Sequence, residues 1–219
     1  RSFDSGNASF TSSPVIETIG HEGPATKRAI SLLEAFRSGE KSASEVFDLK
    51  RIAHFVAARA LFKSLEFDNN DVRFYYNPLT SKLEPIGGEI HFDDYADTEK
   101  LDGWWLFEEK GRSRAFHRLF FRDPEFLEEY YKQLDRITRP GHFDKFLVKI
   151  DKPLSSQLSK LHQEFPWVTF RKQTIERNCK YIQQVLKPLK AVHAYLQARK
   201  QDQMRLKIAN TQFWPIEIL

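Results

Sequence analysis

The stretch from Ser42 to Leu65 constrains this chain most. Ser42 and Glu45 spell a capping box, the pairing in which an N-terminal hydroxyl and a carboxylate three residues on satisfy free backbone N–H groups. Behind it Val46, Leu49, Ile52, Phe55, Val56, Ala60 and Leu61 recur at steps of three and four. That spacing gathers them on one face of a helix expected to run to about Leu65. The pattern then changes. "FDNND" at 67–71 is turn chemistry, and "RFYY" and "KLEPI" are two short β-rich runs separated by "NPLTS", a length suited to a hairpin loop. A one-faced helix followed by a hairpin needs a shared core. The expected class is α+β, predominantly helical, with one small β-hairpin over 71–90.

The remaining segments are read mostly as helices. Pro24 opens one, Ile30, Leu33 and Phe36 hold its period, and Gly39 stops it. Residues 88–112, with the Trp104-Trp105 pair, read as a long irregular segment. Asp123-Pro124 starts a helix through about Ile137, since Asp caps and Pro suits the first turn. Helices are expected from about His142 to Ile150, from Leu154 to Glu164, from Phe170 to Leu186, and again from Pro188. Leu206 to Ala209 is a candidate strand. Residues 1–23 read as a loop-like lead-in and 24–219 as one domain. The apolar ending "FWPIEIL" suggests an excised piece of a longer protein or a final strand docked on the body.

Composition bounds the function classes. Nineteen Phe against one Met point to a core filled by rigid rings. A net charge of only +4 argues against a dedicated nucleic-acid binder. The charge is uneven, however. Arg171 to Lys207 carries ten basic residues against Glu176 and Asp202. This is either a solvated face or a patch for phosphate, anionic lipid or an acidic partner. Cys179 is the only cysteine, so neither an intrachain disulfide nor a thiolate zinc site can form. No apolar run approaches the ~20 residues of a membrane helix.

Candidate chemistry concentrates around the hairpin. No glycine-rich phosphate loop, zinc-protease pair or nucleophile elbow occurs. Gly87-Gly88 is weak as a motif, and the plain reading is a backbone turn. His91, Asp93 and Asp94 offer ligands for a hard cation, though a polar loop is the simpler reading. The turn entering the first strand and the turn leaving the second lie at one end of a two-stranded ribbon. Asp68 to Asp71 and Gly88-Glu89 are therefore expected to be neighbours, with Glu84 approaching the same region. Such an arrangement could hold a metal–phosphate group, and it is also what any hairpin with acidic ends looks like. The seven histidines show no pairing at ligand spacing.

"SEVFDLKRIAHFVAARALF" followed by "RFYYNPLTSKLEPIGGE" resembles the CotH (spore-coat protein H) kinase-like family. The likeness begins near "AISLLEAFRSG", is most specific from Arg73 to Gly87, and continues more loosely to "IANTQFWPIEI". It implies a divergent bacterial protein kinase, extracytoplasmic or envelope-associated, that phosphorylates protein with ATP and magnesium. It also implies an atypical kinase-like C-terminal lobe for this chain. Its pattern leads to Asp68 as the catalytic aspartate and to Asp71 and Glu89 as metal ligands.

The chain departs from that pattern. Asn70-Asp71 stands where His-Asn is expected, and Gly88-Glu89 where an aspartate is expected. Oxygen donors survive both changes, although Glu89 is a methylene longer than magnesium's strict geometry favours. The residues before Pro24 cannot build the lysine-bearing lobe that grips ATP, so the N-terminal lobe is absent from this chain. Half of a phosphate clamp loses much of its transition-state stabilisation. The implied function is thus part of an atypical kinase, inactive as this chain alone, with a pseudokinase on the same fold within reach. The alternative is a non-catalytic scaffold or protein-interaction module whose basic helices, with Lys180, Lys187 and Lys190, form the binding surface.

Overall fold

Six helices and two hairpins make up what the structure, a computed structural model, describes: residues 23–64, 73–87, 90, 93–94, 119–187, 192–201 and 203–210. Helix α1 (Pro24–Arg37) begins on proline as expected. It ends where Gly39 takes φ +76°, a left-handed conformation that costs glycine little. Helix α2 (Ala43–Val46) is a single turn, and α3 (Leu49–Phe62) follows it. The expected continuous helix is therefore two. The chain extends through Phe47, and Asp48 caps a new start by accepting the Arg51 N–H at 3.0 Å.

Strands β1 (Arg73–Asn77) and β2 (Lys82–Ile86) form the expected antiparallel hairpin, in register from Arg73↔Ile86 to Asn77↔Lys82. Helices α4 (Pro124–Thr138), α5 (His142–Glu164) and α6 (Lys172–Leu186) come next. The two helices expected across 142–164 are one, with Pro153 inside it. Proline removes one intrahelical bond there. Lys149, whose carbonyl loses that bond, is an exposed residue, as is Pro153. Where a helix was expected from Pro188, the described residues from Val192 onward form a strand. Val192–Lys200 (β3) pairs with Gln203–Asn210 (β4), so the chain has a second hairpin where one was expected.

The core lies among α3, α4 and α6. Ala53, Ala57 and Ala60 form a small-residue face on α3, and α4 packs closely along this helix. Leu134 on α4 and Ile175 and Ile182 on α6 are almost wholly buried with them. One part of this core is aromatic. Phe36, Phe47 and Phe120 meet pairwise at ring distances of 4.7–5.0 Å, and Phe74 from β1 sits 5.0 Å from Phe47. Phe126 of α4 completes it, 5.3 Å from Phe120. The excess of phenylalanine is thus spent joining α1, the α2–α3 junction, the first hairpin and α4.

Candidate functional site

The first hairpin is fastened to the helices along β2. Leu83 is buried and bridges to Phe47 in parallel register, and the Asp48 N–H donates to the Leu83 carbonyl at 2.9 Å. One residue earlier, the Lys82 ammonium donates to the carbonyls of Ser44 and Glu45, at 2.9 and 2.5 Å. Those carbonyls belong to α2, whose last turn has no intrahelical donors to offer them. Strand and helical turn therefore hold each other in place.

Glu84 carries the hairpin's buried carboxylate. Its side chain is 9% exposed and accepts from Arg51 Nη1 at 2.6 Å and Asn77 Nδ2 at 2.7 Å. This corrects the expectation that Glu84 reaches the open end of the ribbon. It stands opposite Tyr75, and its carboxylate turns toward Asn77 at the loop end. A buried carboxylate is costly without such partners. With one oxygen on a guanidinium and the other on an amide, it serves the hairpin's attachment to α3.

Asp123 plays a comparable part on the opposite flank. It is buried, and its Oδ1 accepts from the N–H groups of Glu125 (2.9 Å) and Phe126 (3.4 Å), capping α4. Its Oδ2 accepts from the Ser44 N–H of α2 at 2.8 Å. Glu45 supports the same helical start by accepting the Ser42 N–H at 2.9 Å.

Asp93 and Asp94 are tied to the C-terminal end of α3. The Asp93 N–H donates to the Phe62 carbonyl at 3.1 Å, and the Lys63 ammonium reaches the Asp94 carbonyl at 2.8 Å. Asn178 of α6 is buried and donates to the carbonyls of Leu61 (2.9 Å) and Asp93 (2.8 Å). The Asp94 carboxylate pairs with Arg177 at 2.9 Å. The polar-loop reading of this pair agrees with that arrangement. Asn178 was not singled out from the sequence. Its signal is a lone amide in an apolar row, between Ile175 and Ile182 at helical spacing.

Asp68, Asp71, Glu89 and His91 lie outside the described residues, as does Lys190. Among the described residues, no three His, Cys, Asp or Glu side chains stand close enough to share a metal ion. The described carboxylates near the first hairpin are already satisfied by Arg51, Asn77 and backbone N–H groups. They do not by themselves fit a magnesium site. Burial, with Glu176 and Asp144 nearby, pushes the Cys179 thiol up to about 11. His54 is held below its ordinary value by burial and then by Arg136, whose Nη2 lies 3.2 Å from its Nδ1.

No protein-family model matches the chain, and neither a curated protein nor a solved structure matches it. No helix among the described residues is long and apolar enough to cross a membrane.

The basic stretch divides between helix and hairpin. On α6, Lys172 is paired with Asp144 (3.1 Å) and Glu176 (3.2 Å), and Arg177 with Asp94. Lys180, Lys187, Arg199, Lys200, Arg205 and Lys207 are exposed.

Proposed function

We propose that this chain is the C-terminal, helix-rich part of a CotH-like atypical kinase domain, a Mg-ATP-dependent protein phosphotransferase when complete. The observation that carries the reading is the docked first hairpin. The text most specific to the resemblance, Arg73 to Gly87, coincides with the ribbon that Leu83, Lys82 and Glu84 fasten to α2 and α3. The ribbon's first pair, Arg73↔Ile86, stands two residues from Asp71 and three from Glu89 in the chain. In this reading Asp71 and Glu89 hold magnesium through carboxylate oxygens, the donors this ion prefers. Asp68 orients the hydroxyl that receives the phosphoryl group.

Calorimetry of Mg-ATP binding tests it, on this chain and on the full-length protein, with Asp71→Ala and Glu89→Ala in both. Binding by the full-length protein alone, lost in both variants, is the expected result. Absence of binding in either form sinks the kinase reading. The scaffold alternative would then stand, and the exposed Lys180 and Lys187 on α6 favour it.

A further inference from the structure

The second hairpin differs from everything else in the molecule. Its two strands pack on each other, and no other described element packs substantially on either face. The register sorts its side chains into two sets. Ala194↔Ile208 and Leu196↔Leu206 put Val192, Leu196, Leu206 and Ile208 on one face, joined by Met204. This face is apolar and open, with Leu196 59%, Met204 65%, Leu206 49% and Ile208 42% exposed. Tyr195↔Lys207 and Lys200↔Gln203 fix the other face. It carries Lys200, Arg205 and Lys207, with the His193 and Tyr195 rings stacked 5.9 Å apart. The irregularity between Leu196 and Ala198 brings Arg199 onto the apolar face beside the turn. None of the four cations has an ion-pair partner among the described residues, and Asp202 is the only acid in the sequence between 192 and 210.

An isolated two-stranded ribbon is marginal in water, and one with a bare apolar face more so. Whatever covers it must take aliphatic side chains on one side and cations on the other. A second copy stacked through the apolar faces covers the aliphatics and gives the cations no role. A nucleic acid meets the cations and leaves the aliphatics in water. A lipid surface takes both. A β-sheet layer is about 10 Å thick, judged from the spacing of stacked sheets. The headgroup zone of one leaflet is roughly 5–8 Å deep, and interfacial elements sink about 5–10 Å. A ribbon lying flat with Leu196, Leu206 and Ile208 at the acyl boundary therefore holds its backbone about 5 Å above that boundary, at the level of the phosphates. Long Lys and Arg side chains reach phosphates at that depth, and a Tyr ring is at home there.

We propose that the β3–β4 hairpin seats this protein on anionic lipid bilayers, lying in the interface without crossing it.

Co-sedimentation with vesicles tests the proposal, using phosphatidylcholine alone and an equimolar mixture with phosphatidylglycerol. The protein pellets with the anionic vesicles, less so as salt rises, and stays in solution with the neutral ones. The triple variant Lys200→Glu, Arg205→Glu, Lys207→Glu weakens binding by about tenfold or more. Leu196→Glu with Leu206→Glu does the same, because charge at those positions cannot sit at the acyl boundary. Far-UV circular dichroism checks that each variant is folded. The triple variant changes only solvent-facing charges and carries the test if the leucine pair misfolds. Equal binding to neutral vesicles, or none to anionic ones, overturns the proposal. So does full binding by the folded leucine pair, which would mean adsorption through charge alone. Binding to a DNA duplex in place of vesicles, or a dimer that the leucine pair dissolves, assigns the face to another occupant and equally overturns it.

Discussion

At the scale of single residues, Asp123 is the side chain on which most depends. One buried carboxylate caps α4 and holds the Ser44 N–H of α2. Removing it leaves three N–H groups short of this acceptor, that of Phe126 buried and the other two half-buried. A lost helix cap costs about 0.5–2 kcal/mol. An unsatisfied buried donor costs about 1–3 kcal/mol. Asp123→Ala is therefore expected to lower unfolding free energy by about 2–4 kcal/mol. Asp123→Asn keeps one acceptor oxygen and should lose about half as much. Urea unfolding midpoints at constant slope measure both. The cap on α4 was legible, because Asp precedes Pro at a helix start. The second bond was not, because nothing local links residues 79 positions apart.

At the scale of elements, the hairpin and helix signals held wherever local chemistry and long-range packing agree. Pro24, Asp123-Pro124 and the "NPLTS" loop each mark an observed boundary. The break at Phe47 escaped the reading because helical spacing runs straight across it. Asp48, a good cap in its own right, was the overlooked signal. The segment from Pro188 carries apolar residues at both helical and alternating spacing. The strand wins because β4 supplies a ladder of backbone partners, which no single segment reveals. The first hairpin's attachment has a measurable strength. Leu83 is 1% exposed and lies against the aromatic cluster. Leu83→Ala should cost about 2–5 kcal/mol, as large-to-small changes in cores do. A destabilisation below 1 kcal/mol, roughly that of a surface change, would mean the hairpin hardly contributes to the fold.

At the scale of the whole molecule, stability should depend on pH through Cys179, which packs against the core from α6. Its thiol sits at about 11 in the folded chain against an ordinary value of 9.0. The unfolded chain therefore gives up this proton first as pH rises. The contribution is fully present below pH 9 and is lost progressively toward pH 11. Over that window the protein should lose more stability than Cys179→Ala, and paired denaturation curves at each pH read the difference. The candidate catalytic and metal residues were named from the resemblance and not from spacing. Asp68, Asp71 and Glu89 look like any acidic hairpin flank until a family pattern assigns them roles, and they lie outside the described residues.

Helix α2 is four residues long, far too short to persist by itself. Its capping box is local, but its N–H at Ser44 is bonded to Asp123 and its carbonyls to Lys82, so the rest of what holds this turn comes only when two large loops close. The single turn is therefore expected to form late in folding, with the partners that hold it. Slow hydrogen exchange at the Ser44 amide is then the expected sign that both loops have closed.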